Sequence, residues 1–182
     1  MSHLEIFMQL LINSLKKIID GVGHLCSALM ILMIINVFYD VIMRYFFNDV
    51  SIAMQELEWH LFAAMFMFGI GYTLMSDAHV RVDVFYDQLS LKKQAIINIL
   101  GSLIFALPFT VLILYFSLDY TYEAYEMGEG SADPGGLPHR WIIRAVIPSS
   151  AAFLILCIAH VVLTQVQVLV SPTKVAKKDN EK

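Results

Sequence analysis

Between Glu58 and Asp77 run eighteen residues, WHLFAAMFMFGIGYTLMS, whose only strongly polar members are His60, Thr73 and Ser76. As a helix, such a run is long enough to cross about 30 Å of hydrocarbon. Two carboxylates, Glu56 and Glu58, precede it and a charged connection, HVRVD, follows it. Lipid is therefore the solvent in which this chain folds.

The composition sets how many such crossings fit. Hydrophobic residues make up 58% of the chain and charged residues 15%, with a mean hydropathy of +0.68, far from the soluble globular range. Each spanning helix takes about 20 residues, so 182 residues hold four crossings and short connections but no separate soluble domain. Cys26 and Cys157 lie in apolar runs away from any CxxC spacing and read as small hydrophobes. The net charge of −4 and the lack of a basic cluster interleaved with aromatics exclude a nucleic-acid partner.

The expected fold class is an all-α integral membrane protein with four transmembrane helices, an N-terminal amphipathic interfacial helix and short interfacial connections. Over residues 1–21, Glu5, Gln9, Asn13, Lys16 and Asp20 fall near one face and Leu4, Phe7, Leu11, Leu15 and Ile18 on another, the pattern of a helix lying in the interface. A cleavable signal peptide fits less well, because the apolar run reaches Arg44 without a small-residue cleavage site.

The four-helix domain covers 22–170, with spans at about 22–43, 57–76, 95–118 and 141–168. Asn36, Asp40 and Arg44 share one face at the end of the first span. Asp40 and Arg44 either pair with each other or meet a protein partner, since unpaired charge facing hydrocarbon is costly. Asn48 and Asp49 mark a turn, and Ser51 caps the next helix. In the middle connection His79, Arg81 and Asp83 alternate with valines, which points to an ordered interfacial crossing rather than a lone strand. Pro108 predicts a kink in the third span, and the Gly/Pro-rich loop before the fourth belongs in water. A polar cytoplasmic tail, 171–182, closes the chain.

Nine of the twelve basic residues fall in the N-terminal segment, the middle connection and the tail, and three (Arg44, Arg140, Arg144) on the opposite side. Lysine and arginine accumulate on the cytoplasmic side, so both termini are expected inside. Trp59 and Trp141 then sit at outer span ends as interfacial anchors.

The four spans show no Gly/Pro-interrupted pair of the kind that builds a carrier site at mid-membrane, so a complete carrier is not expected. Phosphate-loop, zinc-type HxxxH and hydrolase nucleophile motifs are absent, and the expectation is a non-enzyme with no metal and no cofactor. The alternative is a haem- or quinone-binding membrane anchor subunit of a respiratory enzyme. His24 and His60 lie near opposite faces of the membrane, however, and pairing His24 with His160 needs tilt or a shifted boundary. A free-standing structural or signalling membrane protein is a third reading.

Three segments carry a resemblance: QELEW before the second span, AHVRVDVFYDQLS after it, and GEGSADPGGLPHRW before the fourth. Together they resemble the small membrane subunit, DctQ-like, of tripartite ATP-independent periplasmic (TRAP) transporters. Many relatives carry Glu-Glu-Leu-Ala-Arg where this chain has Gln55 to Trp59, so Glu56 matches and the basic member is missing. The resemblance implies a large multi-span partner that carries substrate and sodium sites through an elevator-like cycle, and a periplasmic substrate-binding protein that delivers an organic acid such as a dicarboxylate, 2-oxo acid or sialic acid. It implies that this chain braces the partner's scaffold in the bacterial inner membrane. Asn36, Asp40, Arg44, Glu56, Glu58, His79, Arg81 and Asp83 are the expected partner-contact or structural residues.

Overall fold

The computed structural model describes residues 3–75, 86 and 88–170, and among these the regular structure is helical, with no strand. Helix α1 spans His3–Phe46, α2 Ile52–Met75, α3 Leu91–Gly101, α4 Leu107–Glu126 and α5 Trp141–Val170. A π-helical turn, Ser102–Ala106, joins α3 to α4 in one continuous run. The turn at 47–51 and the loop at 127–140 share one end of the bundle, because Glu56 of α2 bonds Ser131 and Leu137 of that loop. This is called the outer end. At the inner end, Gln167 Nε2 donates to Gln9 Oε1 at 2.7 Å, clipping α5 to α1.

Three helical runs are long and apolar enough to cross a membrane: Glu5–Phe46, Leu91–Glu126 and Trp141–Val170. The expected fourth, α2, is not among them. Its 24 residues give about 36 Å of helix, so length is not the reason. Glu56, Glu58 and His60 at one end, and Gly69, Gly71, Tyr72 and Thr73 near the other, dilute its apolar character. The helix packs against α1 and α5, and most of its residues are half-buried.

The interfacial helix expected over 1–21 is continuous with the first span. No proline or cap interrupts α1 at that boundary, and the Tyr72 ring lies against the backbone at Gly23. The polar face foreseen there does form: Lys16 pairs with Asp20 at 2.9 Å and Gln9 bonds Asn13 at 3.2 Å.

Helix α5 packs against all four others. The α3–α4 run packs beside it, and the buried positions of that run are all small: Ala95, Ser102, Thr110, Ser117 and Ala124. Without a hydrophobic drive between helices in lipid, close backbone approach supplies the packing energy, which favours small side chains. The intervals are 7, 8, 7 and 7, and the extra residue falls where the π-turn sits. Pro108 has no N–H and its ring would strike the carbonyl four residues back; widening the preceding turn, with Leu107 N–H bonding Ser102 O, relieves both faults. The expected kink is thus a one-residue register correction. Thr110 and Ser117 return their hydroxyls to their own helix, at Ala106 O and Leu114 O.

Ile19, Phe153 and Cys157 form the buried centre, with Val22, Phe68, Leu74, Met75 and Leu154 around them. Cys157 is buried and Cys26 half-buried, both as free thiols. Outward, Phe38, Phe105, Phe109 and Phe116 are exposed, an arrangement that lipid permits and water does not.

Candidate functional site

At the outer end, polar side chains are drawn together from every connection there. Asn36 and Asp40 of α1 are buried; Asn36 Nδ2 donates to Met54 O at 2.9 Å, and Arg44 donates to Asp40 Oδ2 at 2.6 Å. Of the two alternatives for this face, Asp40 and Arg44 do pair with each other, and α2 covers Asn36, with Arg44 left partly exposed. Asn48, at φ 51°, takes the left-handed conformation that asparagine tolerates, and turns the chain. Ser51 caps α2, its Oγ accepting from Met54 N–H at 3.4 Å.

Glu56 is the centre of the site. It lies one residue before the expected second span, and its carboxylate holds the 127–140 loop at two points. Ser131 Oγ–H donates to Oε1 in a short hydrogen bond, and Leu137 N–H donates to Oε2 at 2.6 Å. The Ser131 hydroxyl first and the Leu137 amide second hold this carboxyl below the usual carboxylate range. Loop geometry delivers those donors. Ser131 N–H bonds Leu137 O at 3.0 Å, Gly136 N–H bonds Asp133 O at 3.0 Å, and Arg140 N–H bonds Glu129 O at 2.8 Å. Gly128 and Gly135 supply positive φ, and His139 adopts φ 60°. At Gly136 a side chain has no room: a Cβ there would run into Ser131 and come within 2.8 Å of Glu56 Oε2. The loop folds onto the end of α2 through Ser131 and Leu137 while most of its residues stay exposed.

A second clamp fixes the far side of the loop. Arg144 of α5 meets Glu129 at 2.6 and 2.7 Å, donates to Tyr120 O at 3.3 Å, and lies 4.0 Å from the Tyr120 ring centroid. Arg140 stands 3.9 Å from the same carboxylate. Nη2 alone reaches both Glu129 oxygens while Nη1 serves Tyr120 O, and holding two partners from two nitrogens with the plane against a ring is what a guanidinium does and an ammonium does not. Trp141 starts α5 edge-on to Tyr125 at 5.6 Å, while Trp59 lies against His60 with more of its surface exposed.

Glu56 is thus engaged within the chain, whereas Glu58 makes neither a hydrogen bond nor an ion pair among the described residues. His79, Arg81 and Asp83 lie outside the described residues. Just beyond them, Tyr86 is tied to α3: Gln94 Nε2 donates to Tyr86 O at 3.0 Å and Asn98 Nδ2 to its hydroxyl at 2.7 Å. Sequence reasoning missed the two-point clasp of Glu56 and the role of Glu129 and Arg144. The glycine spacing of GEGSADPGG was the available signal for an ordered turn, but it does not say what the turn docks onto.

At the inner end His160 is buried, its two ring nitrogens without a hydrogen-bond partner among the described residues, near Lys16 and Asp20. The Gln9–Gln167 bond sets the antiparallel register, which brings His160 level with Lys16 and leaves His24 eight residues, about 12 Å, away. That offset does not favour a haem held between those two histidines. Among the described residues no three His, Cys, Asp or Glu side chains are grouped to hold a metal ion.

No individually curated protein matches this chain. A family model described as "Tripartite ATP-independent periplasmic transporters, DctQ component" matches residues 33–168, from the Asn36 face through α5.

Proposed function

From the membership of this chain in the DctQ family, the small permease component of TRAP transporters, we propose that it is the scaffold-bracing subunit of a sodium-coupled, binding-protein-dependent importer of an organic acid. The family works with a large membrane subunit and a substrate-binding protein, and its members are transporter components, not enzymes. In this reading substrate and sodium are handled by the large subunit's elevator-like cycle, and this chain stays still.

One observation carries the reading: the polar groups gathered at the outer end are joined to one another. Glu56 is held by Ser131 and Leu137, Asp40 by Arg44, and Glu129 by Arg144. Such an arrangement stiffens an end of a bundle and leaves these groups engaged with one another, as suits a bracing element. We take α2 as the fourth crossing, its less apolar surface covered by protein. We place both termini in the cytoplasm of a bacterial inner-membrane protein, because only three of the twelve basic residues, Arg44, Arg140 and Arg144, lie at the opposite end.

Reconstitution tests this. The large subunit and binding protein, in sodium-loaded and sodium-free vesicles, are expected to take up organic acid only when this chain is present and a sodium gradient is imposed. Full uptake without the chain would overturn the bracing role. A reporter fused to the C-terminus is expected to be active on the cytoplasmic side, and periplasmic activity would reverse the orientation.

A further inference from the structure

Helix α2 combines two properties that disagree. It is the one helix of more than twenty residues outside the three runs long and apolar enough to cross a membrane, with Glu58 on its surface, yet it has an open side. Its buried residues, Glu56 and Gly71, face α1, α5 and the loop. On the opposite side lie Trp59, Phe62, Phe66, Gly69 and Thr73, at intervals of 3, 4, 3 and 4, the seam spacing by which one helix packs along another. Trp59, Phe62, Phe66 and Thr73 are exposed, and nothing lies within 4 Å of where a Gly69 Cβ would stand.

The seam has shape and charge. Three aromatic rings fill its outer half, Phe62 and Phe66 stacked at 6.0 Å. Gly69 and Thr73, one turn apart, then leave a notch, and small residues four apart let a second helix backbone come close. Lipid tails gain nothing from such a notch. Glu58 flanks the outer part of the seam, half-buried and without a partner among the described residues, so its complement is a cation. The exposed aromatics of α4, Phe109 and Phe116, belong by contrast to a run that is apolar enough for lipid.

We propose that the seam Trp59, Phe62, Phe66, Gly69 and Thr73 receives a transmembrane helix of the large membrane subunit. That helix places a small residue against Gly69 and a lysine or arginine beside Glu58. The proposal rests on the family reading above and deepens it by naming the face and the chemistry of what covers it.

The test uses the chain co-expressed with its large subunit in native membranes. Photoreactive benzoylphenylalanine replaces Phe62 or Phe66 in one set, and Phe109 or Phe116 in another. Irradiation is expected to join positions 62 and 66 to the large subunit about tenfold more efficiently than positions 109 and 116. Gly69→Leu is expected to lower the large subunit recovered with the chain about tenfold, with Gly69→Ala lowering it less and membrane insertion unchanged. Adducts at 62 and 66 made only with lipid or with a second copy of this chain, while the large subunit still co-purifies, would overturn the seam and leave the family reading standing. Failure of the wild-type chain to retain any large subunit would overturn both.

Discussion

Gly71→Ala tests how α2 packs on α5. A methyl at that position would stand 2.7 and 2.9 Å from two ring carbons of Phe153 and 3.1 Å from Cys157 Sγ. Carbon atoms in contact sit about 3.5–4.0 Å apart, so the ring must withdraw by roughly 1 Å. It has little room to do so: Phe153 is buried beside Ile19 and Cys157, with the Phe68 ring centroid 5.9 Å from its own. Overpacking of this kind costs about 1–3 kcal/mol. In water the better helix propensity of alanine would return up to about 1 kcal/mol, but a helix in lipid stays helical when the bundle separates, so little of that gain applies. The expected outcome is a loss of about 1–3 kcal/mol in equilibrium unfolding of the detergent-solubilised protein by dodecyl sulfate, read by circular dichroism. Gly69→Ala on the same helix, with nothing within 4 Å, is the control and is expected to unfold like wild type. Gly71→Ala combined with Phe153→Leu is expected to be more stable than the sum of its parts, with a coupling of about 1 kcal/mol. Wild-type stability of Gly71→Ala, or strict additivity in the pair, would refute the contact.

At the outer end, Gly136→Ala pushes a methyl into Ser131 and Glu56 and is expected to speed amide hydrogen exchange at Ser131, Gly136 and Arg140, while exchange in mid-α5 is unchanged. The Glu56 carboxyl is depressed in the folded protein, so its contribution is fully present above the unfolded carboxyl pKa of about 4.3 and fades as pH falls through the lower folded value. Below that range the loop should loosen in wild type but show no such pH step in Glu56→Gln, as measured by limited proteolysis. Arg144→Ala is expected to cost about 1–3 kcal/mol, and Arg144→Lys to recover only part of it, because an ammonium keeps the charge beside Glu129 without the second nitrogen on Tyr120 O or the stacking on the Tyr120 ring. Deleting Ile104 together with Pro108→Ala would return the α3–α4 run to an unbroken α-helix with its five small residues at intervals of seven. Binding to the large subunit should survive that change, whereas deleting Leu112 turns the later part of the stripe about 100° away and should abolish it.

The sequence alone carried those properties that depend on composition and on short-range spacing. The membrane setting, the helical class, the approximate ends of the apolar runs, the Ser51 cap and the pairing of Asp40 with Arg44 four residues on were all legible, because hydropathy and the helical repeat act within one or two turns. Family resemblance was legible for the same reason, resting as it did on short motifs. Tertiary structure decided what lay between elements. Local spacing made α2 look like a span and Glu56 and Glu58 look alike. In the fold α2 is flanked by α1 and α5, and Glu56 bonds residues 75 and 81 positions away while its neighbour two residues on is left open. The amphipathic segment expected over 1–21 continues into the first span as one helix, since an amphipathic pattern reports which faces differ and not whether the helix bends. Pro108 foretold an irregularity, but only the positions of Ala95, Ser102, Thr110, Ser117 and Ala124 against α5 reveal it as an added residue that keeps one face turned inward. The physical reason is common to all of these. In lipid, hydrophobicity places helices in the membrane without saying which sides meet, and that choice falls to close packing of small residues and to hydrogen bonds between groups far apart in the chain.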